Sequence, residues 1–166
     1  MLAEGVLVRD PEPYYYVYRL IRGEHVQTGL VVSASIADYD AGRIKKHEFT
    51  RPSKEDDRVR QIQALDAQTG PVLLVHRATP DIDRTLAAVA ADQPPEVDIT
   101  ATDGVRHQLW PVVGRGVIEH LTQAFERLDS LYIADGHHRS AAASRVAASR
   151  RCGDGDGEAA EAHQGF

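Results

Sequence analysis

The stretch Leu131–Ala147, "LYIADGHHRSAAASRVA", joins a short apolar run to an Ala-rich segment through a dense polar turn. Leu131–Ala134 has the composition of a strand, and the segment from about His138 to Arg150 has that of a helix. A strand that leads directly into a helix leaves the backbone N–H groups of the first helical turn unpaired. The sequence therefore predicts a strand-to-helix junction at residues 135–139, where those N–H groups and the helix dipole favour an anion.

The side chains of this turn suit such a ligand. Gly136 has no Cβ and lets the backbone approach a ligand closely. The planar fork of Arg139 matches phosphate oxygens, and Asp135 can hold a cation or an imidazole. The imidazoles of His137 and His138 can donate hydrogen bonds or titrate. The alternative is an Asp-Gly turn that only caps the helix and leaves both imidazoles at the surface.

A second polar segment, "GRIKKHEFTRPSKEDDR" at residues 42–58, joins a predicted strand to a predicted helix. In an otherwise acidic chain, the cations of this segment are expected to attract an anionic ligand. They are Arg43, Lys45, Lys46, Arg51 and Lys54. We expect the neighbouring cations to favour the ionised form of Glu48, as a general base requires. The alternative is a solvated charged loop. The zinc signature H-E-x-x-H is not met, because position 51 is Arg.

The remaining segments predict hairpins and helices without regular alternation. One hairpin turns at Gly23-Glu24 and another at Asp103-Gly104, and "PVLLVHR" is a short strand. Three further helices are predicted over "SKEDDRVRQIQALDAQTG", with Ser53 as N-cap and Gly70 at its end, "DIDRTLAAVAAD" and "GVIEHLTQAFERL". This pattern indicates an α+β fold with a mixed sheet, β-hairpins and flanking helices.

Two residues of the second hairpin differ in their expected roles. Alternation along the strand places His107 and Trp110 on opposite faces. We expect Trp110 in the core, whereas His107 is either a surface residue or part of a site. Residues 1–151 are predicted to form one α+β domain, and residues 152–166 a flexible Gly- and Asp-rich tail.

Composition excludes several classes of function. A net charge of −6 argues against broad nucleic-acid binding, which depends on Lys and Arg contacts to phosphates. No apolar run reaches the roughly 18 residues that span a bilayer, so no membrane partner is expected. Cys152 is the single cysteine and cannot form an internal disulfide, which favours a cytoplasmic location. Its Gly- and Asp-rich surroundings are not those of a nucleophile, and no Walker loop or Rossmann fingerprint is present.

Several segments together resemble a conserved bacterial family, the domain of unknown function 1015. They follow one another through nearly all of the chain: "YYVYRL", "TGLVVSASIADYDAGRIKKHEFTRPSKEDDR", "AQTGPVLLVHR", "DGVRHQLWPV" and "LYIADGHHRSAAA". Members of that family are longer chains. Because residues 2–5 also look like the end of a helix, we expect this chain to be an internal fragment of a longer protein.

The turn alone carries a second resemblance. Gly136-His137-His138-Arg139 is similar to the Gly-x-x-Arg turn of the ParB and sulfiredoxin fold, which binds nucleotide phosphates at the start of a helix. Free-serine kinases of that fold have a similar turn. His137 stands where sulfiredoxin has its catalytic cysteine, so sulfinic-acid chemistry is not implied. The resemblance implies a fold that is ParB/sulfiredoxin-like in part, and a phosphate-binding turn.

These observations lead to the hypothesis of a nucleotide-binding protein that acts as a kinase on a small hydroxyl compound such as serine. ATP or ADP with Mg²⁺ is the expected cofactor, with the metal at Asp135. The expected catalytic residues are Glu48, Asp135 and His138. The expected nucleotide-binding residues are Lys46, Arg51, Gly136, His137, His138, Arg139 and Ser140.

Two alternatives use the same residues differently. The chain is either a non-enzymatic nucleotide-binding regulatory protein, with the turn as a switch, or a metal-dependent hydrolase. In the hydrolase, His47 and His107 would join Asp135 around a divalent metal.

Overall fold

The computed structural model describes residues 3–6 and 8–153, and it has an α+β fold with five helices in that part of the chain. None of these helices combines the length and the apolar character needed to cross a membrane. In chain order the elements are β1 (Tyr15–Arg22), β2 (His25–Val31), α1 (Ile36–Asp40), β3 (Ile44–Lys45), α2 (Pro52–Leu65), β4 (Leu73–Val75), α3 (Pro80–Asp92), β5 (Val97–Thr100), β6 (Arg106–Val112), α4 (Arg115–Glu126), β7 (Leu131–Asp135) and α5 (His137–Gly153).

The chain divides into two compact units, each with its own sheet. The first unit comprises Met1–Val32 and Ala78–Arg127, and the second comprises Ser33–Arg77 and Leu128–Phe166. The first contains a four-stranded sheet and the second a three-stranded sheet. The prediction that residues 1–151 form one domain stays a prediction.

The sheet of the first unit is antiparallel, in the order β2-β1-β6-β5. Both predicted hairpins are confirmed, with Gly23 at φ +58° and Gly104 at φ +81° in their turns. Arg106 donates from Nε and Nη2 to the two carboxylate oxygens of Asp98 on the neighbouring strand, at 2.6 and 2.5 Å. These hydrogen bonds, with a further one from Gln108, lower the pKa of Asp98 to about 2.

The core of the first unit lies between this sheet and the helices α3 and α4. Its most deeply buried side chains are Val17, Ile82, Trp110, Val112 and Leu121. The indole N–H of Trp110 donates to the carbonyl of Gln93 at 3.0 Å, which satisfies the polar end of an otherwise apolar side chain. The expected core position of Trp110 is therefore confirmed.

The sheet of the second unit is mixed, in the order β3-β7-β4. The central strand β7 pairs in parallel with β3 and antiparallel with β4. Its Ile133, 1% exposed, packs with Ile44 of β3 and Tyr39 of α1. Asp135, the last residue of β7, pairs with Leu73 of β4, and α5 begins two residues later.

Helices α2 and α5 of the second unit pack against each other. Ile62 contacts the fully buried Ala142 and Val146, which is 2% exposed. The guanidinium of Arg145 donates to Glu55 at 3.1 Å and to Asp56 at 2.7 Å. These contacts hold the first turns of α2 beside α5.

Several predicted boundaries need correction. Ser53 was expected to cap α2, but the helix begins at Pro52 with Arg51 as its N-cap, because proline fits the first helical position. The same helix ends at Leu65 and not at Gly70, with Asp66 as its C-cap in the left-handed conformation at φ 48°. Helix α5 continues to Gly153, two residues into the predicted tail. The rest of that tail and residues 1–2 lie outside the described residues.

Candidate functional site

The predicted strand-to-helix junction is confirmed. Strand β7 ends at Asp135, Gly136 follows at φ +102°, and α5 begins at His137. The Ser140 N–H and hydroxyl both donate to the Gly136 carbonyl, at 2.9 and 3.2 Å. Helix geometry leaves the N–H groups of residues 137–139 without a carbonyl partner in the helix, and the positive end of its dipole lies at the same place.

The junction opens into a cleft of about 490 Å³ within the second unit. Glu48 and Arg139 both line this cleft, although they are far apart in sequence, so their predicted convergence is confirmed. The lining comes from three segments: the loop between β3 and α2 (residues 46–51, the basic loop), the first two turns of α2, and the junction. Its residues are Glu48, Ser53, Lys54, Asp57, Arg58, Asp135, Gly136, His137, His138 and Arg139.

The guanidinium of Arg139 folds back between two glycines. A Cβ placed on Gly70 would lie 3.0 Å from Cδ of Arg139, and one placed on Gly136 would lie 3.0 Å from its Nη2. Nη2 donates to the Asp135 carboxylate at 2.6 Å. Nε is buried and has no hydrogen-bond partner. A buried donor without a partner costs free energy, so a ligand oxygen that accepted from Nε would be stabilised there.

A second helix start meets the same cleft. The N-cap of α2, Arg51, makes no side-chain cap hydrogen bond, and its carbonyl accepts from the N–H groups of Lys54 and Glu55. Ser53 and Lys54 belong to this first turn and line the cleft, as does Arg58 one turn later. The cleft therefore combines two helix N-termini with the side chains of Lys54, Arg58 and Arg139, an arrangement that favours an anion.

Glu48 is one of three carboxylates that line the cleft, together with Asp57 and Asp135. Its side chain is 56% exposed, and Oε2 lies 3.5 Å from Nδ1 of His137. The His137 side chain is only 4% exposed. A carboxylate that is accessible on one side and contacts a buried imidazole on the other is suited to exchange a proton with a ligand in the cleft.

The two imidazoles of the turn both face main-chain N–H groups of the basic loop. Nε2 of His137 accepts from the His47 N–H at 3.4 Å, and Nε2 of His138 accepts from the Arg51 N–H at 3.1 Å. The rings of His47 and His137 also meet edge to face, 4.4 Å apart. These contacts fasten the loop around Glu48 to the start of α5.

Three of the residues expected to bind nucleotide lie outside the lining of the cleft. The ammonium of Lys46 lies over the Tyr39 ring, 3.6 Å from its centroid. Arg51 contacts His138 through its backbone, and Ser140 is bonded to Gly136. Their nucleotide-binding roles stay predictions.

Sequence reasoning missed Ser53, Asp57 and Arg58 as cleft residues, and it named Lys54 only among the cations of residues 42–58. A signal for three of them was present. Lys54, Asp57 and Arg58 are spaced i, i+3 and i+4, which places them on one face of a helix.

The structure allows a test of the expected metal position. Among the residues that the structure describes, no three His, Cys, Asp or Glu side chains are grouped so that they could hold a metal ion. His107 belongs to the first unit, where its Nδ1 lies 2.6 Å from the Tyr18 hydroxyl. The carboxylate of Asp135 is 74% exposed at the edge of the cleft. One accessible carboxylate fits Mg²⁺ carried by nucleotide phosphates, because this ion keeps most of its ligands from phosphate and water.

Comparison with known proteins identifies one family. No curated protein and no solved structure matches the chain, and the resemblance of the turn to the ParB and sulfiredoxin fold is not confirmed. One family model, described as "Protein of unknown function (DUF1015)", matches residues 1–166. Because this match spans the whole sequence, the chain belongs to the DUF1015 family.

Proposed function

We propose that the cleft binds the phosphates of ATP or ADP and that the protein transfers a phosphoryl group to a small hydroxyl compound such as serine. One observation carries the proposal. A helix start with a buried, unpartnered Arg139 Nε shares a single cleft with the accessible carboxylate of Glu48.

The junction supplies the phosphate contacts. Free N–H groups at residues 137–139 point donors at an anion, and the missing Cβ of Gly136 leaves room for the Arg139 guanidinium beside them. Arg139 contributes a planar fork, while Lys54 and Arg58 add charge from α2. Transfer of a phosphoryl group depends mostly on positioning and on stabilising charge, and these groups provide both.

Asp135 and Arg139 pair with each other across the mouth of the junction, at 2.6 Å. In the proposed complex, Asp135 would hold Mg²⁺ and Arg139 would turn its guanidinium to the phosphates. The metal would neutralise charge on the phosphate oxygens. The exchange of one partner for another keeps both side chains satisfied, which limits the cost of releasing their ion pair.

Glu48 is the proposed general base. It accepts the proton of the hydroxyl as that oxygen forms its bond to the terminal phosphorus, while the bond from phosphorus to the bridging oxygen of the nucleotide breaks. The electron pair of the broken bond stays on the released nucleotide, ADP from ATP or AMP from ADP. Glu48 lines the same cleft as Lys54, Arg58 and Arg139, which is consistent with this role.

The test combines binding with turnover in the full chain. Labelled ATP and ADP with Mg²⁺ are incubated with serine and other small alcohols, and nucleotide affinity is measured by calorimetry. Glu48→Gln should lower transfer by about 10²–10⁴-fold and leave nucleotide affinity nearly unchanged, because it removes a base and keeps its shape. Glu119→Gln, an exposed carboxylate of α4 in the first unit, is the matched control.

The outcomes separate the three functions. Nucleotide binding without transfer to any hydroxyl compound supports the regulatory protein. Hydrolytic activity that chelators abolish, and that Zn²⁺ or Mn²⁺ but not Mg²⁺ restores, supports the hydrolase. Failure to bind either nucleotide contradicts the proposal.

A further inference from the structure

The His137 imidazole is enclosed by groups that define its protonation. It is 4% exposed, and its two ring nitrogens face different partners. Nε2 accepts from the His47 N–H at 3.4 Å, and Nδ1 lies 3.5 Å from the Glu48 carboxylate. A nitrogen that accepts a hydrogen bond carries no proton, so the single proton of the neutral ring is on Nδ1 and faces Glu48.

We infer that His137 is a positioning residue that directs the Glu48 carboxylate into the cleft through its Nδ1–H. This inference rests on the proposed function, since it assigns to Glu48 the role of base. The role differs from phosphate binding, because both ring nitrogens of His137 already face groups of the protein. A separation of 3.5 Å is long for a hydrogen bond, and such contacts tighten when a substrate closes the site.

The backbone N–H of His47 determines which nitrogen of His137 faces Glu48 with a proton. The N–H belongs to the residue immediately before Glu48, so the same loop supplies both the donor that sets the His137 tautomer and the carboxylate that faces its Nδ1–H. The ring of His47 against His137 helps to keep the two in place. His138 makes a similar contact at the other end of the loop, where its Nε2 accepts a hydrogen bond from the Arg51 N–H. The base is thus held by a loop that is fastened at both ends.

Two substitutions separate the two contacts of His137. The amide nitrogen of Asn lies near the position of Nδ1, so His137→Asn keeps a donor for Glu48 and loses the acceptor for the His47 N–H. The amide of Gln reaches the position of Nε2, so His137→Gln keeps that acceptor and loses the donor. His120→Gln, at a partly exposed imidazole of α4 in the first unit that contacts Asp81, is the control.

The first measurement does not depend on turnover. Two-bond ¹H–¹⁵N spectra of the imidazoles in the labelled full chain, at mildly alkaline pH, show which ring nitrogen carries the proton. The His137 signals are assigned by their loss in His137→Asn. We expect a protonated Nδ1 and a bare Nε2. A proton on Nε2 would overturn the inference.

The second measurement is phosphotransfer from ATP to serine. His137→Gln should lower kcat by about 10²-fold, the cost of misplacing a reacting group by about an ångström, with little change in the KM for ATP. His137→Asn should stay within about 10-fold of the unsubstituted chain, because the donor to Glu48 is kept. Equal losses in the two variants would show a merely structural role and overturn the inference while the proposed function stands. If the unsubstituted chain binds ATP but transfers nothing, the proposed function fails and the positioning role fails with it. The imidazole spectrum then still reports, independently of turnover, which ring nitrogen of His137 carries the proton.

Discussion

The guanidinium of Arg139 lies where it does because two residues beside it have no side chain. Gly136 at φ +102° occupies a backbone conformation that L side chains rarely adopt, whereas Gly70 does not. Both approach the same side chain: a Cβ on Gly136 would lie 3.0 Å from Nη2 of Arg139, and a Cβ on Gly70 would lie 3.0 Å from its Cδ. The two effects of adding a Cβ, backbone strain and steric clash, can therefore be separated at this site, because only Gly136 needs glycine for its backbone angle.

The pair Gly136→Ala and Gly70→Ala tests this separation. Gly136→Ala should lower the free energy of unfolding by about 1–3 kcal/mol, because a strained φ adds to the clash with Arg139. Gly70→Ala should cost less, since the flexible arginine side chain can move. Both should weaken ATP binding by displacing the guanidinium. Urea denaturation and calorimetry measure the two quantities, and equal losses of stability would contradict the explanation.

Among the elements, one helix start and both hairpins could be predicted from the sequence, whereas two short elements could not. The β7-to-α5 junction followed from an apolar run beside an Ala-rich run, and both hairpins followed from their turn residues. Helix α1 and strand β3 were missed, since five and two residues are too few to show a period. The misplaced cap at Ser53 came from reading a good capping residue and overlooking the Pro52 that precedes it.

The roles of the two imidazoles were beyond sequence reasoning. Their partners are backbone N–H groups of His47 and Arg51, about 90 residues earlier in the chain. Backbone donors leave no trace in residue type, so a pair of histidines in a polar turn reads as a ligand or a catalytic group. Only the three-dimensional structure shows that they are acceptors for a loop.

The strand pair β5–β6 gives a prediction about pH. Because Arg106 holds the pKa of Asp98 down to about 2, the ionised carboxylate stabilises the folded chain at pH above its unfolded pKa of about 3.9. This contribution is lost as pH falls through the folded pKa. Asp98→Asn should therefore be less stable than the unsubstituted chain at pH 5, and the difference should shrink towards pH 3. Urea denaturation across this range measures it, and a difference that grew on acidification would contradict the assignment.

For the whole molecule, every residue that lines the cleft belongs to the second unit. The other unit has its own sheet and its own buried core. Binding at the cleft should therefore change the hydrogen exchange of backbone amides mainly in the second unit. The family match covers both units, and it assigns no activity to either.

Hydrogen exchange measured with and without MgATP tests this localisation. A bound nucleotide stabilises the conformation that binds it, by mass action. Exchange should slow most in the first turns of α2 and α5, including the N–H groups of residues 53 and 137–139. Peptides from β2 in the first unit should change little. Protection concentrated in the first unit would place the nucleotide elsewhere.

Calorimetric titration of MgATP into the full chain and its Arg139 variants tests the central claim most directly. Arg139→Ala should weaken binding by about 1.5–3 kcal/mol, the usual range for hydrogen bonds to charged groups. Arg139→Lys should restore only part of the affinity, because an ammonium cannot replace a bidentate fork. Arg115→Ala, which removes a surface arginine of α4 that is 93% exposed, should bind like the unsubstituted chain. An Arg139→Ala variant with unchanged affinity would show that phosphates do not bind at this junction.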